Sequence, residues 1–120
     1  VDFGLLDEHG DLLESAVHYR DDRTIGMQEE VFKAISKEEV YNLTGNQFEN
    51  FNTIFQLYSL VQKRPWILER ADTLLLTPDL FNYFLTGEKK AEYVENFCTG
   101  FLSAAVFGGR RLRAAGKKEF

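Results

Sequence analysis

The chain has 120 residues, 44% of them hydrophobic and 28% charged, with a formal net charge of −5. That length suits about one domain, and 11 Phe, 5 Tyr and 1 Trp against only 2 Pro exclude wholesale disorder. The single cysteine, Cys98, excludes an internal disulfide framework. No apolar run reaches the ~18 residues of a membrane span, so a reducing, cytoplasmic setting without membrane contact is expected.

Charge is unevenly spread. Residues 1–100 hold 9 basic and 18 acidic side chains, whereas residues 101–120 hold 5 basic ones (Arg110, Arg111, Arg113, Lys117, Lys118) against Glu119. An acidic body argues against nucleic-acid binding, whose affinity rests on neutralised phosphates. The basic end fits a local anion patch or a solvated tail.

In chain order, Val1–Leu6 reads as a buried strand entered midway, so the chain is expected to be a fragment. Asp7-Glu8-His9-Gly10-Asp11 is a polar turn, after which Leu12–Tyr19 can return as the second arm of a hairpin. Arg20–Arg23 is a charge cluster. Met27, Val31 and Ile35 then repeat at helical spacing. Ser36-Lys37-Glu38-Glu39 forms a capping box for a short helix that stops at Gly45. Gly45–Asn52 is a loop carrying Phe48 and Phe51 among amides. Thr53–Lys63 is an amphipathic helix with Ile54, Leu57, Tyr58 and Val61 on one face. Pro65 opens another helix. Leu74-Leu75-Leu76 is a short buried run, and Thr77-Pro78 caps a last helix that ends at Gly87. Beyond Tyr93 the apolar residues lose any clear period. The fold class is α/β: a β-hairpin followed by several helices, with too few strands to close a sheet of its own.

Chemistry-bearing patterns are few. His9, His18 and Cys98 lack metal-ligand spacing, so no metal site is expected. Cys98 has no marked base and reads as a structural thiol. No phosphate-cradling glycine loop is present. Asn42-Leu43-Thr44 matches a glycosylation sequon but falls in a predicted helix. Two segments mix aromatic rings with hydrogen-bonding groups, as a sugar's C–H faces and hydroxyls require: Tyr19-Arg20-Asp21-Asp22-Arg23 and Asn46–Asn52. On pattern alone the plainer readings prevail: surface ion pairs worth ~0–1 kcal/mol each for the first segment and a core-plugging interhelix loop for the second.

Four linked stretches then carry a resemblance. They are Val1-Asp2-Phe3-Gly4-Leu5-Leu6-Asp7; Val17-His18-Tyr19-Arg20-Asp21-x-Arg23-Thr24; Thr44-Gly45-x-Gln47-Phe48-x-x-Phe51-Asn52-Thr53-x-x-Gln56-Leu57; and Leu76-x-Pro78-Asp79-Leu80-Phe81-x-Tyr83-x-Leu85-Thr86-Gly87 with Glu92-Tyr93. In order and spacing they resemble the first domain of the FGGY carbohydrate kinases, within them the branch acting on L-rhamnulose. The resemblance covers residues 1–93.

The resemblance implies a partial ribonuclease-H/actin-like ATPase domain from an enzyme that moves the γ-phosphoryl group of ATP, with Mg, to the 1-hydroxyl of L-rhamnulose in rhamnose catabolism. It implies substrate binding at Tyr19 and Phe51, with Arg20, Asp21 and Asn52 beside them. The family's phosphate-binding segment would precede Val1, and its catalytic Asp and adenosine domain lie outside this chain. Hence neither ATP nor Mg is expected to bind this chain well, and the chain alone is expected to be inactive. Residues 94–120 depart from the family's pattern, as a shifted reading frame would produce. Two alternatives stay open: another sugar as substrate, or a non-catalytic binding remnant. Exposed helix faces would favour self-association.

Overall fold

The structure, a computed structural model, describes residues 1–91. The departure expected at residue 94, the tail beyond it and Cys98 lie outside the described residues. Two strands and five helices follow one another: β1 (Phe3–Leu6), α1 (Met27–Ala34), α2 (Lys37–Thr44), α3 (Thr53–Lys63), α4 (Pro65–Arg70), β2 (Thr73–Leu76) and α5 (Thr77–Thr86). A 3-10 turn, Asp22–Thr24, precedes α1.

The centre is an antiparallel strand pair, with Phe3 opposite Leu76 and Leu6 opposite Thr73. Side chains alternate across a strand, and here both faces are covered. Phe3, Leu5 and Leu76 meet Leu57 and Leu60 of α3 and Ile67 and Leu68 of α4. Leu6 and Leu75 meet Leu80 of α5 on the opposite face. A third cluster joins Met27 and Val31 of α1 to Phe55 of α3.

The expected return arm, Leu12–Tyr19, is not a strand. To β1 it makes one bridge, Leu6 to Leu12, and one backbone bond, from the Leu13 N–H to the Leu5 carbonyl at 2.9 Å. A partner covered on both faces must be apolar at consecutive positions. Leu74-Leu75-Leu76 meets that demand; Glu14, Ser15 and Ala16 do not. The hairpin is thus closed by β2, after four helices, rather than by its sequence neighbour.

Helix boundaries follow local chemistry. Ser36 Oγ accepts from the Glu39 N–H at 3.2 Å, and both α2 and α5 end on left-handed glycines, Gly45 and Gly87. Replacing Ser36 with Ala is expected to cost about 1 kcal/mol, read as a lower urea midpoint at unchanged slope.

Two local expectations change. Thr77 does not cap α5. Its N–H and hydroxyl both bond the Asp2 carbonyl, at 2.9 and 3.0 Å, extending the strand ladder into the first turn of the helix. On α3 the apolar stripe is only part of the buried face: Leu57 is buried and Ile54 and Tyr58 pack on the third cluster, but Val61 is 43% exposed while Thr53, Gln56 and Ser59 are at most 1% exposed. Polar groups go inward there because each is hydrogen-bonded. Thr53 Oγ1 donates to the Val1 carbonyl at 2.9 Å and Ser59 Oγ to the Gln56 carbonyl at 2.6 Å.

Candidate functional site

Tyr19 and Phe51, far apart in sequence, come together. Their rings meet edge to face at 5.7 Å and 77°, a favoured aromatic geometry. Tyr19 sits in a tight turn closed by a bond from the Asp21 N–H to the His18 carbonyl at 2.9 Å. The His18 ring lies 4.4 Å from Tyr19, and His18 Nδ1 accepts from the Arg20 N–H at 3.2 Å. The Arg20 guanidinium stands 5.5 Å over the Tyr19 ring, and its Nε donates to the Tyr19 hydroxyl at 3.2 Å. The result is a row of rings, half-buried at Tyr19 and Phe51 and exposed at His18, beside the exposed Arg20 cation.

The other two expected residues are engaged locally. An Asp21 carboxylate oxygen accepts from the Arg23 N–H at 2.9 Å, capping the 3-10 turn. Asn52 is 4% exposed, and its Oδ1 accepts from the Glu49 N–H at 2.8 Å while its own N–H donates to the Glu49 carbonyl at 3.0 Å. This double closure shapes the loop that presents Phe51.

Behind the rings lies a buried polar centre that sequence reasoning left unassigned. Gln56 is 0% exposed. Its Oε1 accepts from Arg23 Nη2 at 2.7 Å, and its Nε2 donates to the Phe51 carbonyl at 2.8 Å and the Val1 carbonyl at 3.3 Å. Burial pulls the Arg23 pKa down, while the charges of Asp21, Glu14 and Asp2 push it back up. The guanidinium remains cationic and stands 5.8 Å over the Phe3 ring. The available signal was an amide between Phe55 and Leu57, inside a segment otherwise read as an apolar face.

The 46–52 loop splits into two parts. Phe48 packs edge to face on Phe32 at 5.1 Å and serves the core, whereas Phe51 joins Tyr19. A wide, open groove runs beside Phe48, between Lys37, Tyr41, Asn46 and Gln47; neither Tyr19 nor Phe51 lines it. Among the described residues no three His, Cys, Asp or Glu side chains converge as metal ligands, and no helix is long and apolar enough to cross a membrane.

Residues 1–104 match the model of the N-terminal domain of the FGGY family of carbohydrate kinases. The boundary drawn at residue 93 falls inside that span. The chain is 48% identical over 104 residues to a rhamnulokinase of Halalkalibacterium halodurans, covering 87% of this chain and 22% of that protein. It is 49% identical over 104 residues to one of Oceanobacillus iheyensis, with the same coverage. To one of Bacteroides thetaiotaomicron it is 46% identical over 93 residues, covering 78% and 19%. The chain therefore spans about a fifth of the length of these relatives.

Solved structures of similar fold include a xylulose kinase from Rhodospirillum rubrum, with TM-score 0.75, 22% identity, and 85% of this chain and 21% of that one covered. A gluconate kinase from Lactobacillus acidophilus aligns with TM-score 0.73 at 17% identity, covering 82% and 20%. At those identities the likeness is one of fold, and the strand pair and helices are part of the actin-like ATPase fold. With most of its length matched by the family model, the chain belongs to the FGGY family of carbohydrate kinases, as part of their N-terminal domain.

Proposed function

We propose that this chain is the sugar-holding part of a kinase that transfers the γ-phosphoryl group of ATP to the 1-hydroxyl of L-rhamnulose. The observation that carries this reading is the meeting of Tyr19 and Phe51 beside Arg20. The rings offer apolar faces to the C–H side of a sugar, and the Arg20 guanidinium offers donors to its hydroxyls. Asp21 and Asn52 act by holding the two loops in shape. The rhamnulokinase names of three relatives at 46–49% identity favour L-rhamnulose over other sugars.

This reading assigns no residue of this chain to ATP or Mg. In this reading the nucleotide and the catalytic base belong to the rest of the enzyme. What this chain supplies to an in-line transfer is orientation, which supports most of the catalysis of such reactions. No step of the phosphoryl transfer itself is assigned to its side chains.

Titration of the purified chain with L-rhamnulose, xylulose and gluconate, followed calorimetrically, tests the reading. L-Rhamnulose is expected to bind in preference to the others, and Tyr19→Ala and Phe51→Ala are each expected to weaken it roughly five- to tenfold. The chain mixed with ATP, Mg and L-rhamnulose is expected to yield no ADP. Equal binding of the three sugars would move the assignment to another substrate. Sugar binding that ignores both ring deletions would dismiss this site.

A further inference from the structure

We propose that Gln56 is a positioning residue that sets the spacing of the two rings, so that sugar affinity passes through an amide that never touches the sugar. The inference rests on the sugar-holding reading of Tyr19 and Phe51. A fully buried glutamine on a helix face is costly unless its amide is bonded, and a leucine or methionine would fill the same volume. Here one side chain bonds to both ring-bearing segments. Through Nε2 it holds the carbonyl of Phe51 itself, at 2.8 Å. Through Oε1 it holds Arg23, at 2.7 Å. Arg23 is in turn fixed through its own N–H by Asp21, in the turn that begins at His18 and carries Tyr19.

An amide can donate to a carbonyl and accept from a guanidinium at once, which neither a carboxylate nor a methionine can do. Remove either arm and each ring-bearing segment keeps its own local turn but loses this side-chain link to the other. A carboxylate at position 56 keeps the bond from Arg23 and sets an oxygen against the Phe51 carbonyl. Gln56→Glu therefore cuts one arm, and Arg23→Met cuts the other. Arg23→Lys still offers a donor to Oε1.

The test uses the whole chain and two readouts: the proton cross-relaxation between the Tyr19 and Phe51 rings, and L-rhamnulose affinity by calorimetry. Gln56→Glu and Arg23→Met are each expected to abolish the ring cross-peaks and to weaken the sugar about tenfold, as loss of a charge-assisted or buried bond implies. Arg23→Lys is expected to restore most of both. Amide exchange in α5, which Gln56 does not touch, is expected to stay unchanged in all three. If the variants melt lower but keep the cross-peaks and the affinity, Gln56 is only a core residue and the proposal is overturned. Should Gln56→Glu not fold, Arg23→Met against Arg23→Lys decides the question. If the unmodified chain takes up no L-rhamnulose, the sugar reading fails by itself, and the cross-peaks alone judge Gln56.

Discussion

Phe55→Ala is expected to destabilise the chain by about 3–5 kcal/mol, the usual cost of emptying a buried aromatic site. Phe55 is 1% exposed, and it is the buried side chain of α3 that meets Met27 and Val31 of α1. Phe32 lies edge to face on it at 6.0 Å, and Phe48 and Ile35 pack around the same cluster. A domain of this size holds only ~5–15 kcal/mol in all, so the loss is a large share of the total. It should also be local in its first effect. The strand pair rests on Leu57, Leu60, Ile67 and Leu80 instead. Amide exchange is expected to speed up in α1 well before it does in β1 and β2, with the urea midpoint shifted down throughout. Uniform exchange would mean that the three clusters unfold as one unit.

The second large effect is expected at the turn that follows β1. Gly10 has φ +82°, and a Cβ built on it would lie 2.3 Å from the Tyr83 hydroxyl. That hydroxyl donates to the Gly10 carbonyl at 2.8 Å, clamping α5 onto the turn. Gly10→Ala therefore meets two penalties. One is the left-handed backbone, about 1–2 kcal/mol for a residue with a Cβ. The other is a displaced tyrosine, whose hydrogen bond carries about 1 kcal/mol. Together they predict a loss of roughly 2–3 kcal/mol, with Tyr83→Phe costing only the smaller part. The double variant separates the two: Tyr83→Phe should relieve part of the Gly10→Ala penalty, so the two changes combine to less than their sum. Additive losses would show that backbone strain alone is at work.

Much of the helical part was legible because its signals are local. The Ser36 cap, the glycine stops at Gly45 and Gly87, the proline start at Pro65 and the span Thr53–Lys63 all depend on neighbours within a turn or two. The partner of β1 was not legible. Strand pairing is decided by which segment can be covered on both faces, and Leu74–Leu76 lies four helices away from β1 in the sequence. The polar part of the buried face of α3 was not legible for a related reason. Hydropathy assigns Gln56 and Thr53 to solvent, whereas the carbonyls of Val1 and Phe51 that draw them inward appear only in three dimensions. Tyr19 and Phe51 stood out as two separate aromatic segments. Their contact required the fold.

The strand pair has a consequence for how the chain acquires its structure. All of Asp7–Asp72 lies between the two strands, so their pairing closes a long loop, and closing it costs entropy before any ladder bond repays it. The helices between them can form early, from near neighbours. Phe3, Leu5 and Leu6 leave the ribosome before Leu74–Leu76 and must wait for them. Until then they are an apolar strand with unpaired edges, the kind of segment that associates with its own copies or engages a chaperone. Synthesis that halts before Thr73 would leave that strand without a mate, and the yield of folded chain should depend on how quickly the interval from Leu6 to Thr73 is crossed.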